Sequence, residues 1–89
     1  MKIIYRESFI RDLKNLKETE VYNSVSRLVF ETMPSLNGLH EVKNLKRLRG
    51  HHDKARIRIG SYRIGIHIGK DVIEIVRILH RKEIYRAFP

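Results

Sequence analysis

The sequence predicts an α+β domain: an N-terminal strand and a helical hairpin packed on a mainly antiparallel sheet of about four strands, with a short C-terminal element. Three observations predict it. Apolar residues recur at helical spacing between Ser8 and Met33. From Lys54 the period changes to two, with Ala55, Ile57 and Ile59 alternating with Arg56 and Arg58. Gly60-Ser61 and Gly69-Lys70-Asp71 then punctuate the apolar runs as turns. The 89 residues suffice for one domain, 1–89, with a small core.

Residues 2–6 read as a short strand. Ser8 is placed as the N-cap of a first helix that carries Phe9, Leu13 and Leu16 on one face. Lys17 to Glu20 interrupt the pattern. Thr19 is placed as the cap of a second helix with Val21, Val25, Leu28 and Val29 on one face. That helix should end near Met33, because Pro34 disfavours the helical conformation in the residue before it. A two-residue loop at Gly60-Ser61 fixes a hairpin register: Ile59 opposite Tyr62, Arg58 opposite Arg63, Ile57 opposite Ile64, Arg56 opposite Gly65. With three residues in the next turn, Ile68 faces Val72 and Arg63 also faces Arg77. Residues 72–79 are apolar on both faces for most of their length, which marks a central strand. The tail HRKEIYRAFP is too polar for another strand and reads as a turn or a single helical turn.

Charge divides the chain. Residues 1–42 hold six Lys+Arg and six Asp+Glu, whereas residues 43–89 hold 13 Lys+Arg against four acids, so the whole +9 lies in the second half. A balanced half beside a strongly basic half points to a polyanionic partner: nucleic acid, an acidic protein or a membrane surface. There is no cysteine, which excludes a disulfide framework, a thiol nucleophile and Cys-ligated zinc. No apolar run approaches the roughly 18 residues of a membrane span, and no signal peptide is expected, so the expected location is cytoplasmic. His51-His52 lacks metal-ligand spacing, and neither Gly38 nor Gly50 builds a phosphate-binding motif; no metal and no cofactor are expected.

The hairpin register puts Arg56, Arg58 and Arg63 on the sheet face opposite the isoleucines, with Arg77 and Arg81 assigned to the same side. Arg58 and Arg63 oppose each other directly, an arrangement that like charges penalise unless an anion lies between them. Guanidinium groups bind phosphate bidentately and stay charged at any relevant pH. His80 and Tyr85 sit in the same basic tail as Arg81, Lys82 and Arg86.

The runs NLKRLRG (44–50), ARIRIGSYRIGI (55–66) and VRILHRKEIYRAFP (76–89), in this order after a helical hairpin, resemble the RelE/ParE superfamily of toxins from type II toxin–antitoxin systems, over essentially the whole chain. The resemblance implies a RelE-like fold and one of two activities. RelE-type members cleave mRNA on the ribosome, whereas ParE-type members act on DNA gyrase without that catalytic set. Either is neutralised by a cognate antitoxin, expected to be acidic where it touches this chain. On the RelE pattern, Arg63, Arg81, Tyr85 and His80 are the candidate catalytic residues, and Arg56 and Arg58 candidate RNA-phosphate ligands; the basic sheet adds Arg77 and Lys54 as further candidate phosphate ligands. Arg58 stands where lysine is often found, and a guanidinium cannot serve as a base. The expected reaction is metal-independent cleavage of ribosome-bound mRNA by the ribose 2′-hydroxyl, with ribosome, mRNA and antitoxin as partners. A gyrase-binding toxin and a non-toxic basic adaptor are the alternatives.

Overall fold

The computed structural model describes all 89 residues. Strand β1 (Ile3–Tyr5) leads into helix α1 (Glu7–Lys14). Helix α2 (Val21–Arg27) continues through a π-helical stretch (Leu28–Thr32) into α3 (Met33–Ser35), forming one rod. After a 3₁₀ turn (Leu39–Glu41) come β2 (Leu45–Arg47), β3 (Lys54–Ile59), β4 (Tyr62–Gly69), β5 (Val72–His80) and helix α4 (Arg81–Ala87). The sheet has five strands in the order β1-β5-β4-β3-β2, with β1 parallel to β5 and the other pairs antiparallel.

The fifth strand corrects the expectation of about four. It is β2, whose three residues contain one apolar side chain and give no periodicity to read. Cap positions also differ. Helix α1 begins after Arg6, and Ser8 instead donates its hydroxyl to Val76 O (2.6 Å). Thr19 bonds back to Leu16 O (2.7 Å) and α2 has no side-chain cap. The second helix does not stop before Pro34. Its last turns widen so that the Met33 N–H bonds to Leu28 O. In that spacing the partner of Val29 O would be the nitrogen of Pro34, which has no hydrogen. The Tyr5 hydroxyl takes its place, donating to Val29 O at 2.6 Å, and thereby ties β1 to the rod. Burial pushes the Tyr5 phenol above its ordinary pKa, so it remains a donor.

Alternation sorts the sheet into two faces. Ile57, Ile64, Ile66, Ile73, Ile75 and Ile78 pack against Phe9, Leu13, Val25, Val29 and Met33, all within one buried cluster. The first hairpin has the expected register, with Arg58 opposite Arg63 and Arg56 opposite Gly65. The second does not. Its turn is two residues long, with Asp71 at φ 63°, so Gly69 pairs with Val72. A bulge between Gly65 and Ile66 then shifts the register again, and Arg63 faces Leu79 while Arg77 faces Gly65.

Strand β1 ends at Tyr5, leaving the rest of the β5 edge without a strand partner. Helix α1 covers it. Asp12, buried, accepts from the Ile78 N–H (3.1 Å) and from Arg77 through Nε (2.7 Å) and Nη2 (3.0 Å). The carboxylate holds the Arg77 guanidinium above its ordinary pKa, first through these hydrogen bonds.

Candidate functional site

The face opposite the main core divides into two halves with different electrostatics. In one half the charges are matched. Arg6 Nη1 lies 2.7 Å from Glu74 Oε1, Glu74 Oε2 lies 3.1 Å from His67 Nδ1, and His67 Nε2 lies 3.0 Å from Asp53 Oδ2. Lys54 Nζ completes the chain at 3.4 Å from Asp53 Oδ1. An imidazolium satisfies both carboxylates, whereas a neutral ring donates to one. The hydrogen bond from His67 holds the Asp53 carboxyl below its usual range, and the bond from Arg6, then that from His67, does the same for Glu74. Depressed carboxyl pKa values contribute stability that is complete above the unfolded-state pKa, roughly 4, and is lost as pH falls through the folded value. The stability difference between the wild type and an Asp53→Asn/Glu74→Gln variant should therefore shrink as urea unfolding is repeated from pH 6 towards pH 3. A difference that stays constant over that range would mean the carboxyls are unperturbed.

In the other half the cations are unmatched. A groove of about 940 Å³ is lined by Asn44, Leu45, Lys46, Arg47, Leu48, Arg49, Arg56, Arg58, Arg63 and Tyr85. Six of these are cations and none is an acid. None of the six has a carboxylate within ion-pair distance; the chain's ion pairs lie in the matched half and at Asp12–Arg77. Strand pairing builds the floor: Lys46 opposite Arg56 on β2 and β3, and Arg58 opposite Arg63 on β3 and β4. Neutral oxygens orient the guanidiniums. Arg63 Nη1 donates to Gly60 O (3.0 Å) and Tyr62 O (2.9 Å), Arg58 Nη2 to Asn44 Oδ1 (3.4 Å), and Arg47 Nη1 to His52 O (3.2 Å). Each guanidinium keeps N–H groups free for a ligand. Tyr85, 63% exposed, forms a wall, with the Arg56 guanidinium 4.5 Å from its ring centroid.

The groove thus brings together four of the residues singled out from sequence: Arg56, Arg58, Arg63 and Tyr85. Others lie elsewhere. Arg77 is held by Asp12, and the expected Arg63–Arg77 pairing fails because the turn is one residue shorter than expected and a bulge follows it. Lys54 is at the opposite end of β3, in the matched half. His80 caps α4, its Nδ1 accepting from Lys82 N at 3.2 Å, with its ring edge-on to Tyr62. Arg81 begins α4, its backbone N–H bonded to Ser61 O (2.8 Å); its side chain is exposed, has no partner, and stands one helical turn from Tyr85. Sequence reasoning missed Lys46, Arg47 and Arg49, although the basic run NLKRLRG was the signal. The α4 helix, longer than the expected single turn, buries Ile84 and Phe88.

This arrangement can hold a phosphate between opposed arginines and offer an aromatic face beside it. The chain resembles known proteins over its full length. A family model described as the ParE toxin of a type II toxin–antitoxin system matches residues 3–85. Toxin RelE3 of Methanocaldococcus jannaschii is 38% identical over 90 residues, covering all of both chains. Among solved structures, the RelB–RelE antitoxin–toxin complex from Methanococcus jannaschii contains a chain with TM-score 0.79 and 35% identity, over 97% of this chain and 99% of that one. YafQ from E. coli, at 14% identity and TM-score 0.73 over 94% of this chain and 97% of that one, shares the fold. The chain belongs to the RelE/ParE superfamily and is a RelE-type toxin of a type II toxin–antitoxin system.

Proposed function

We propose that this toxin cleaves mRNA on the ribosome, using the ribose 2′-hydroxyl of the RNA as the nucleophile and the basic groove to hold the scissile phosphate. The observation that carries the reading is the directly opposed pair Arg58–Arg63, in a groove of six cations without a single carboxylate. Charge develops on the phosphate oxygens as the pentacoordinate transition state forms, and fixed guanidinium donors favour it over the ground state. Arg81, one turn from Tyr85 and free of partners, adds a cation from the α4 side. Proton transfer falls to Tyr85 and Lys46, since the remaining cations of the groove are arginines, which do not exchange protons usefully. His80, whose Nδ1 caps α4 and which does not line the groove, is not part of this proposal. A site with so few proton carriers depends on the ribosome to orient the RNA, because positioning can supply much of the rate.

The partner that neutralises such a surface is a cognate antitoxin with acidic side chains over the groove, as complementary charge both steers encounter and suppresses RNA binding. The similar structure of a RelB–RelE antitoxin–toxin complex supports a cognate antitoxin as the partner. Growth-phase induction without an antitoxin, followed by pulse-labelling, tests the reading: amino-acid incorporation should stop within minutes while thymidine incorporation continues. The reverse order would assign the toxin to DNA gyrase, the alternative that the resemblance to ParE-type members implies.

A further inference from the structure

Helix α4 brings Tyr85 to the groove, yet neither of its buried anchors, Ile84 and Phe88, belongs to the main hydrophobic cluster. The seat of Phe88 is a single glycine. Lys46, Arg56, Gly65 and Arg77 form one cross-strand row, three long side chains around one position that has none. Phe88, 3% exposed, fills that gap. A Cβ built on Gly65 would lie 2.7 Å from Phe88 Cγ and Cδ2 and 3.0 Å from Cδ1, closer than carbon atoms tolerate. The positive-φ glycines of the chain are Gly50 and Gly60, so the backbone at Gly65 accepts a side chain and it is the Phe88 ring that does not.

From this contact two links reach the groove. Phe88 O accepts from Arg56 Nη2 at 3.2 Å, and Tyr85, three residues earlier, covers the same guanidinium at 4.5 Å. Arg56 Nε is buried with no hydrogen-bond partner, so the stack and one carbonyl hold this arginine. The far end of α4 is fixed separately, through Arg81 N–H to Ser61 O and the His80 cap. Without the ring in its notch the helix keeps its tether at its start and the buried Ile84, but loses the contact that sets the Tyr85 end against Arg56.

We propose that Gly65 and Phe88 act as notch and key: the ring seated on the glycine sets α4 against the sheet and so positions Tyr85 on Arg56 at the groove wall. Phe88 is a positioning residue and Gly65 the vacancy that admits it. The consequence for RNA rests on the groove being the functional site proposed above; the geometry does not.

The test uses the full chain labelled with ¹⁵N and ¹³C. In the wild type, the Tyr85 ring current should displace the Arg56 Hδ and Nε–H resonances, and Tyr85→Leu defines their undisplaced positions. Phe88→Ala and Gly65→Ala should each move the Arg56 resonances to those positions while the methyl signals of Ile57, Ile64 and Ile66 stay in place. The Gly65→Ala/Phe88→Ala double variant should go no further than either single one, and Phe88→Leu should recover most of the displacement. Affinity for a fluorescein-labelled ten-nucleotide single-stranded RNA should fall about tenfold in each single alanine variant, as in Tyr85→Leu. Arg56 resonances that stay displaced in either alanine variant would overturn the proposal, as would collapse of the isoleucine methyl signals in Phe88→Ala. A wild type that binds this RNA but never cuts mRNA on ribosomes sinks the cleavage reading and leaves the resonance result standing.

Discussion

Arg58→Ala and Arg63→Ala should each abolish growth arrest at matched expression, with the fold intact. The two side chains face each other across β3 and β4 with no carboxylate near enough to pair with either. Removing one charge-assisted contact to a phosphate costs about 1.5–3 kcal/mol in the ground state. In a transition state that gathers charge on the phosphate oxygens, the loss of one oriented donor reaches about 100- to 1000-fold in rate. Neither side chain supports the main core, which lies on the other face of the sheet. Thermal stability should hold or rise slightly, since each substitution relieves a like-charge pair. Growth curves and thermal unfolding of the purified variants check both halves of the statement; full toxicity in both would remove the pair from the site.

The largest loss of stability should come from a residue far from the groove. Asp12→Ala leaves the Ile78 N–H without its acceptor and Arg77 without its only carboxylate. Breaking a fully buried pair by removing one partner costs about 3–5 kcal/mol; with Arg77 29% exposed the loss should fall at the lower end, still a large share of the roughly 5–15 kcal/mol that holds a small domain together. Asp12→Asn keeps one acceptor and should lose less. Glu7→Ala, on the exposed face of the same helix, should stay within about 0.5 kcal/mol of wild type. Urea unfolding of the three variants orders them, and a change below about 1 kcal/mol for Asp12→Ala would show that the α1–β5 edge is held by apolar packing instead.

Asp12 also shows where the sequence stops being legible. Nothing local marks it, because its partners lie 65 and 66 residues away. The first hairpin was fully readable, since a two-residue loop leaves only one register and the isoleucines specify which face is buried. The second was not. Its Gly-Lys-Asp turn allows two loop lengths, and a bulge has no signature in an apolar run, so the partner of Arg63 came out as Leu79 rather than Arg77. The same effect applies to the site. Arg56, Arg58 and Arg63 follow from strand parity, whereas Lys46, Arg47 and Arg49 enter the groove only because a three-residue strand pairs with β3. His80 reads as a proton carrier from its place beside Arg81; the fold also gives its Nδ1 the cap of α4, a task nothing in the sequence marks.

The gyrase alternative and the ribonuclease reading differ in what the basic groove meets. A gyrase-binding surface has no need of a phosphate held between two arginines with a tyrosine beside it, and that specific geometry favours RNA. The match of residues 3–85 to a model described as a ParE toxin does not alter the RelE-type assignment, which rests on the full-length relative and the RelB–RelE structure; the target is the question the groove addresses.

The most direct measurement is cleavage of a defined mRNA on purified ribosomes, first mapped to its cut position and then repeated with a single 2′-deoxy nucleotide at that position. The all-ribose message should be cut only when ribosomes are present, and the deoxy-substituted message should remain whole at the same toxin concentration. Equal cleavage of both messages, or no cleavage of either by a toxin that arrests growth, would contradict a groove that works by turning the RNA's own hydroxyl on the phosphate it holds.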